Sequence, residues 1–224
     1  MSGYYSTTLA GQRLKQCYDI APPRVQQYLK AEIQHVLQHM HTGDIVLELG
    51  CGYGRILPRL AQKAGQIIGI DTSSDSLSFG QETLRAVSNC YLLTMDAMNL
   101  GFRKHTFDCV VCIQNGISAF HVDQRGLIHE NIRVTKPGGI VLYSSYSEKF
   151  WESRLQWFQL QSEAGLLGEI DVEKTGNGVI VCTDGFTATT VTPSQFRSLI
   201  AGLNVDVNIV EVDDSSLFCE ITPC

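Results

Sequence analysis

The run VLELGCGYG, Val46 to Gly54, begins as an apolar strand-like segment interrupted only by Glu48 and ends in three glycines at alternate positions, Gly50, Gly52 and Gly54. An apolar run this short, closed by such a turn and followed by RILPRLAQKA, reads as a buried strand that feeds a helix. Glycine permits left-handed backbone and leaves room for a ligand against the main chain. In an open parallel sheet, a turn of this kind faces the crevice outside the carboxyl ends of the strands.

Downstream, the same alternation repeats. QIIGID, SLSFGQETLRAV and CYLLTMD follow in order, then FDCVVCIQN, a helical stretch from Asp123 to Val134, the turn KPGG at Lys136 to Gly139 and the strand IVLYSSY. Short apolar runs alternating with helices predict parallel βαβ units. A helix is expected from Lys149 to Ala164. Between Gly168 and Thr192 the turns TGNG and TDG separate DVEK, VIVC and FTATTV, which predicts a small antiparallel insertion. Thr192-Pro193-Ser194 suits a helix start, and VDVNIVEV and SLFCEIT, joined by Asp213-Asp214, form an antiparallel pair. Upstream, Tyr4 to Met40 carries apolar residues at helical spacing, divided into two helices by Pro22 and Pro23.

Length and composition agree with one globular α/β domain: 224 residues, 44% hydrophobic, 18% charged, 20 glycines. A net charge of −6 with no Lys/Arg run gives no attraction for phosphate backbones, so a nucleic-acid partner is not expected. No apolar stretch is long enough to span a bilayer. The start MSGYYSTTLAGQRLKQ lacks a secretory pattern, which makes the cytoplasm the expected location. Of the eight cysteines, Cys51, Cys90, Cys109 and Cys112 fall in strand-like or Gly-rich segments and are expected as free, buried thiols. Cys109-x-x-Cys112 has metal-like spacing, but on a strand the two side chains point to opposite faces, and no metal site is expected.

The Glu48-to-Gly54 segment resembles motif I of class I S-adenosylmethionine-dependent methyltransferases, which reads acidic-x-Gly-x-Gly-x-Gly. A dinucleotide fingerprint needs its third glycine where Arg55 stands, so the spacing opposes an NAD site. The resemblance spans Asp44 to Ser145 at motif level. It implies a seven-stranded Rossmann-like sheet, mostly parallel with an antiparallel last pair, in a single domain over residues 1–224. Residues 1–42 would form a helical lid, 43–165 the cofactor-binding core, 166–192 a β insertion over the acceptor and 193–224 the last helix and strand pair.

By the same resemblance, Glu48, Gly50, Cys51, Gly52 and Gly54 surround the methionine end of S-adenosylmethionine. Asp71 ends the second strand where a carboxylate can accept from a ribose diol, with Thr72 beside it; its alternative is capping the helix that follows. Met95, Asp96 and Ala97 occupy the adenine position, although an aspartate there also suits a plain turn. Gln114 and Asn115, at the end of the fourth strand, are candidates for contact with methionine or acceptor. His121 is a candidate general base. Tyr18 and Tyr146 are candidate catalytic residues, and Tyr146, Phe150, Trp151 and Trp157 offer aromatic surface for a substrate or for core packing. Asp108 reads as structural.

The fourth strand lacks the Asp/Asn-Pro-Pro-Tyr tetrad of DNA and protein nitrogen methyltransferases, and Pro223-Cys224 lies too late in the chain to serve as the cytosine C5-methyltransferase nucleophile. The missing tetrad favours a small-molecule acceptor. A non-catalytic S-adenosylmethionine-binding sensor or partner subunit, and a tRNA or protein methyltransferase, remain as alternatives.

Overall fold

The computed structural model describes residues 4–224; residues 1–3 of the expected lid lie outside the described residues. The alternating runs form one seven-stranded sheet in the order β3-β2-β1-β4-β5-β9-β8. Its strands are β1 (Ile45–Leu49), β2 (Gln66–Asp71), β3 (Cys90–Thr94), β4 (Phe107–Cys112), β5 (Thr135–Tyr146), β8 (Val205–Val212) and β9 (Ser216–Pro223). The first five are parallel, and β9 runs antiparallel to both β5 and β8. The strand order reverses between β1 and β4, the switch point at which open α/β sheets bind ligands.

Alternate side chains of each strand serve two cores. Leu47, Val110, Cys112 and Tyr143 face α7 (Gln124–Val134) and α9 (Pro193–Ile200) on one side. Val46, Cys109, Val111 and Leu142 face α3 (Pro23–His39), α4 (Leu57–Leu60) and α5 (Ser74–Thr83) on the other. Cys109 and Cys112 thus point away from each other, and every cysteine is a free thiol.

A third core joins the N-terminal helices to the segment after β5. Tyr28, Tyr146, Phe150, Trp157, Phe158 and Phe186 are buried together in it. The insertion is smaller than the sequence predicts: β6 (Ile180–Val181) pairs antiparallel with β7 (Thr187–Ala188), and Ile170 bridges to Cys182. It is tied to α8 (Trp151–Glu163) by Arg154, whose guanidinium donates to the carbonyls of Gly178 (2.9 Å) and Ala188 (3.1 Å). It is tied to α1 (Tyr4–Thr7) by the Tyr4 hydroxyl, which donates to Asp184 (2.5 Å).

Three expectations are corrected. The segment before Pro22 is two helices, α1 and α2 (Gly11–Asp19), because Gly11 turns left-handed at φ +54° and gives its N–H to Ser76 Oγ. KPGG is not a turn before β5 but an irregularity inside it: the pairing steps from Phe107↔Thr135 to Cys109↔Ile140, with Gly138 at φ +74° taking up the excess chain. The helix expected from Lys149 starts with a separate 3-10 turn, Glu148–Phe150.

Thr192 caps α9 as expected, accepting from Gln195 N–H while the Gln195 side chain accepts from Thr192 N–H. Thr192→Ala is expected to lower stability by about 1 kcal/mol, read as a shift of the urea midpoint at unchanged slope.

Candidate active site

A cavity of about 360 Å³ opens at the carboxyl ends of β1, β2, β3 and β4, within the roughly 300–1,000 Å³ range of small-molecule sites. One part of its wall is polar and comes from the strand ends: Glu48, Gly50, Gly52, Asp71, Thr72, Asp96 and Gln114. Another part is aromatic, with Tyr5 and Tyr18 from the helical lid, Tyr146 from the end of β5, and Trp157 and Phe158 from α8.

The glycine turn shapes the polar wall. Gly50, Gly52 and Gly54 have φ of +63°, +56° and +76°, which side-chain-bearing residues resist. A Cβ on Gly50 would lie 2.5 Å from the Phe120 ring and one on Gly52 2.8 Å from Leu14. Asp71 holds this turn from the next strand. Its Oδ2 accepts from Gly52 N–H and its Oδ1 from Ser73 N–H, both at 2.8 Å. The cap of α5 is Ser73, whose hydroxyl accepts from Ser76 N–H, so capping does not fall to Asp71.

Glu48 is buried with Oε2 lacking a partner, and the Nε and Nη2 of Arg55 are buried and equally unpartnered. Burial pushes the Glu48 carboxyl up to about 8; Arg55 opposes the shift and Asp71 adds to it. The Arg55 guanidinium lies 4.5 Å above the Tyr18 ring, and the Tyr18 hydroxyl donates to Gln114 Oε1 at 2.7 Å. Burial raises Tyr18 and Tyr146 above the ordinary phenol range, so both are protonated donors near neutral pH rather than bases.

Cys51, Met95 and Ala97 also line the cavity, whereas Gly54 shapes the turn from behind it. Asp96 is exposed at the rim and accepts from Met98 N–H at 2.9 Å, the local turn that its sequence position allows.

Two candidates are placed elsewhere. His121 is exposed and absent from the cavity wall; its left-handed φ of +52° belongs to the corner after α6 (Gly116–Ala119). Asn115 is buried and turned to a neighbouring small cavity. Its amide donates to Thr189 carbonyl (2.7 Å) and accepts from Ser145 hydroxyl (2.9 Å), fastening the end of β4 to β5 and to the insertion. The aromatic group also divides: Tyr146 and Trp157 reach the cavity, while Phe150 packs 4.9 Å from Tyr28 in the lid core.

Glu32 supports the site although sequence patterning around the glycine turn does not point to it. It is fully buried on α3; Oε2 accepts from Gln114 N–H and Oε1 from Ser216 hydroxyl, both at 3.1 Å. Burial pushes its carboxyl up to about 7, opposed by the Ser216 hydroxyl and the charge of Arg55. A carboxylate within the stripe Val25, Leu29, Glu32, Val36 is the signal that marks it, since a charge on a buried helix face needs a purpose.

Residues 46–139 match the model of a family described as methyltransferase domain. Demethylmenaquinone methyltransferase of Staphylococcus haemolyticus is 32% identical over 49% of this chain and 47% of its own. Malonyl-[acyl-carrier protein] O-methyltransferase of Yersinia pestis is 30% identical over 50% of this chain and 40% of its own. The chain thus spans about half the length of the curated relatives it matches. A crystal structure of an S-adenosylmethionine-dependent methyltransferase from Aquifex aeolicus superposes with a TM-score of 0.63 at 15% identity, covering 92% of this chain and 96% of that one. The fold is that of the class I, Rossmann-like S-adenosylmethionine-dependent methyltransferases.

Proposed function

We propose that this chain is a methyltransferase that binds S-adenosylmethionine across the Glu48–Gly54 turn and delivers its methyl group to a small molecule held under the aromatic lid. The observation that carries this reading is the pair of opposite, buried and unsatisfied groups, Glu48 Oε2 and the Arg55 N–H donors, on the wall of the strand-end cavity. Buried polar atoms are rarely left without partners, and a zwitterionic amino-acid end complements both: ammonium to Glu48, carboxylate to Arg55. The glycine cradle leaves room beside them.

When bound, S-adenosylmethionine supplies an electrophilic methyl group on a positively charged sulfur. Asp71, with lone pairs beyond those used by Gly52 and Ser73, accepts from the ribose hydroxyls; Asp96 and Met95 form the adenine end. The aromatic side excludes water and orients the acceptor, which for an in-line displacement provides much of the catalysis. The Tyr18 hydroxyl donates to Gln114 Oε1 and so positions the end of β4, and neither it nor Tyr146, both raised by burial, removes a proton near neutral pH. The N-terminal helices close the acceptor side through Tyr5, Leu9, Leu14 and Tyr18, while the insertion borders only the small neighbouring cavity through Thr187, Ala188 and Thr189. The aromatic wall suits a ring or chain with a polar end, and of the two relatives one is named for demethylmenaquinone and the other for malonyl-[acyl-carrier protein].

Calorimetry with S-adenosylhomocysteine and with NAD tests the cofactor, and transfer of labelled methyl from S-adenosylmethionine to a metabolite extract tests the activity. Binding of the first ligand alone, with label in an organic-soluble product, is expected. Binding without transfer to any fraction points to a sensor, and label in tRNA or protein moves the acceptor class.

The Glu48 carboxyl adds a pH dependence. It must lose its proton to hold an ammonium, and its free value is about 8. Affinity for S-adenosylhomocysteine is therefore expected to rise about tenfold per pH unit from 6 to 8 and then level off. Calorimetry in buffers of different ionisation enthalpy should show proton release over that window, and Glu48→Gln should flatten the slope.

A further inference from the structure

We infer that His35, His39 and Glu220 form a binding site for one zinc-class divalent cation on the face of α3 that packs on β9, away from the strand-end cavity. The three residues come from two elements distant in sequence: the histidines are one helical turn apart, and Glu220 is on the strand they lie over. Their nearest ligand atoms all fall within 4.8 Å of one another. His35 Nε2 is 2.8 Å from Glu220 Oε1, and His39 Nε2 is 3.4 Å from the same oxygen. Ligand atoms about 2.0–2.2 Å from a tetrahedral zinc lie roughly 3.4 Å apart, so the His39–Glu220 spacing already fits and the His35 contact must open by less than an ångström.

The surroundings are arranged as a metal's outer shell is. His39 Nδ1 lies 2.9 Å from the His35 carbonyl. A carbonyl can only accept, so His39 carries its ring proton on Nδ1 and turns the Nε2 lone pair towards Glu220. The second Glu220 oxygen, Oε2, accepts from the Asn208 amide at 3.0 Å, which leaves Oε1 for the cluster. Hydrogen bonds of both kinds orient the ligands of metal sites. The Phe218 ring, 4.2 Å from the His35 ring, closes one side, and the partly exposed His39 leaves a path to solvent.

A lone pair facing a carboxylate oxygen is repulsive unless a cation lies between them. A metal ion supplies that charge. Two imidazoles and one carboxylate select zinc, cobalt or nickel over magnesium or calcium, with water in the fourth position. His35 Nε2 donates to Glu220 Oε1 at 2.8 Å, so ligation by His35 requires its ring proton to move to Nδ1. The bound ion would clamp the last turn of α3 to β9, one turn beyond Glu32.

The test strips the full chain with a chelator and titrates it with zinc against a chromophoric competitor. One high-affinity zinc per chain is expected in a Cys224→Ser background, since Cys224 is the exposed thiol. His39→Gln and Glu220→Gln should each weaken binding at least ~100-fold, and Asn208→Ala, which removes only the outer hydrogen bond, by roughly tenfold. Circular dichroism of the stripped variants separates loss of the site from loss of the fold. Cobalt substitution should give a tetrahedral visible spectrum without a thiolate charge-transfer band. The proposal is overturned if the parent retains no zinc, if affinity is unchanged in folded His39→Gln and Glu220→Gln chains, or if the cobalt spectrum shows thiolate ligands.

Discussion

Asp71→Ala is expected to raise the dissociation constant for S-adenosylhomocysteine at least ~100-fold while the chain stays folded. The carboxylate does two things at once. It receives Gly52 N–H at 2.8 Å and so fixes the turn in its left-handed course, and it receives Ser73 N–H at 2.8 Å at the head of α5. In the proposed complex its remaining lone pairs accept from the ribose diol. Hydrogen bonds to a charged group contribute about 1.5–3 kcal/mol each, so losing two is worth roughly 10²–10⁴ in affinity. Asp71→Asn should be nearly as damaging, because one carboxylate oxygen becomes an NH₂ group facing either Gly52 or Ser73 N–H. Calorimetry reads the constant and thermal melting the fold. A change below threefold in a folded Asp71→Ala chain would remove the ribose from Asp71 and with it the proposed orientation of the cofactor.

Asp71 stands out in the amino-acid sequence because its signal is local. A strand, three alternate glycines and a carboxylate at the next strand end are fixed by sterics and strand direction within some 25 residues. The strands are legible for the same reason: apolar period and glycine punctuation are properties of short windows. What escapes such windows depends on distant partners. Gly11 breaks the first helix because Ser76, in another element, takes its N–H. Asn115 turns away from the large cavity because Ser145 and Thr189 offer complementary groups on the other side. His121 follows a tight corner whose backbone course only the folded chain reveals. The aromatic residues after β5 separate into cavity wall and lid core according to how α3 and α8 cross, which periodicity on a single helix does not determine.

Glu32 shows the same dependence at higher stakes, and Glu32→Ala is expected to be among the most destabilising single changes near the site. The substitution leaves the Gln114 N–H and Ser216 hydroxyl without their acceptor in a fully buried place and opens a cavity around them. Unsatisfied buried donors cost about 1–3 kcal/mol each, so a loss of ~3–5 kcal/mol is expected, measured by urea unfolding. The Gln114 backbone, held at φ +56° beside Tyr18, would also be released, so cofactor affinity should fall at a temperature where the variant is still folded.

Glu32→Gln separates hydrogen bonding from charge, because its amide oxygen can still accept from one donor. The carboxyl's folded value of about 7 lies above its ordinary 4.5. The native state therefore binds the proton more tightly, and the contribution of Glu32 to stability is fully present below about pH 4.5 and declines as pH rises towards 7. That decline is worth roughly 3 kcal/mol. The stability gap between the parent and Glu32→Gln should thus narrow from pH 5 to pH 8, while the gap to Glu32→Ala retains the added cost of the cavity. A parent-to-Gln gap that stays constant across that range would mean that Glu32 is ionised at every pH tested, held by Arg55 and the Ser216 hydroxyl, and that its role is one of charge from the start.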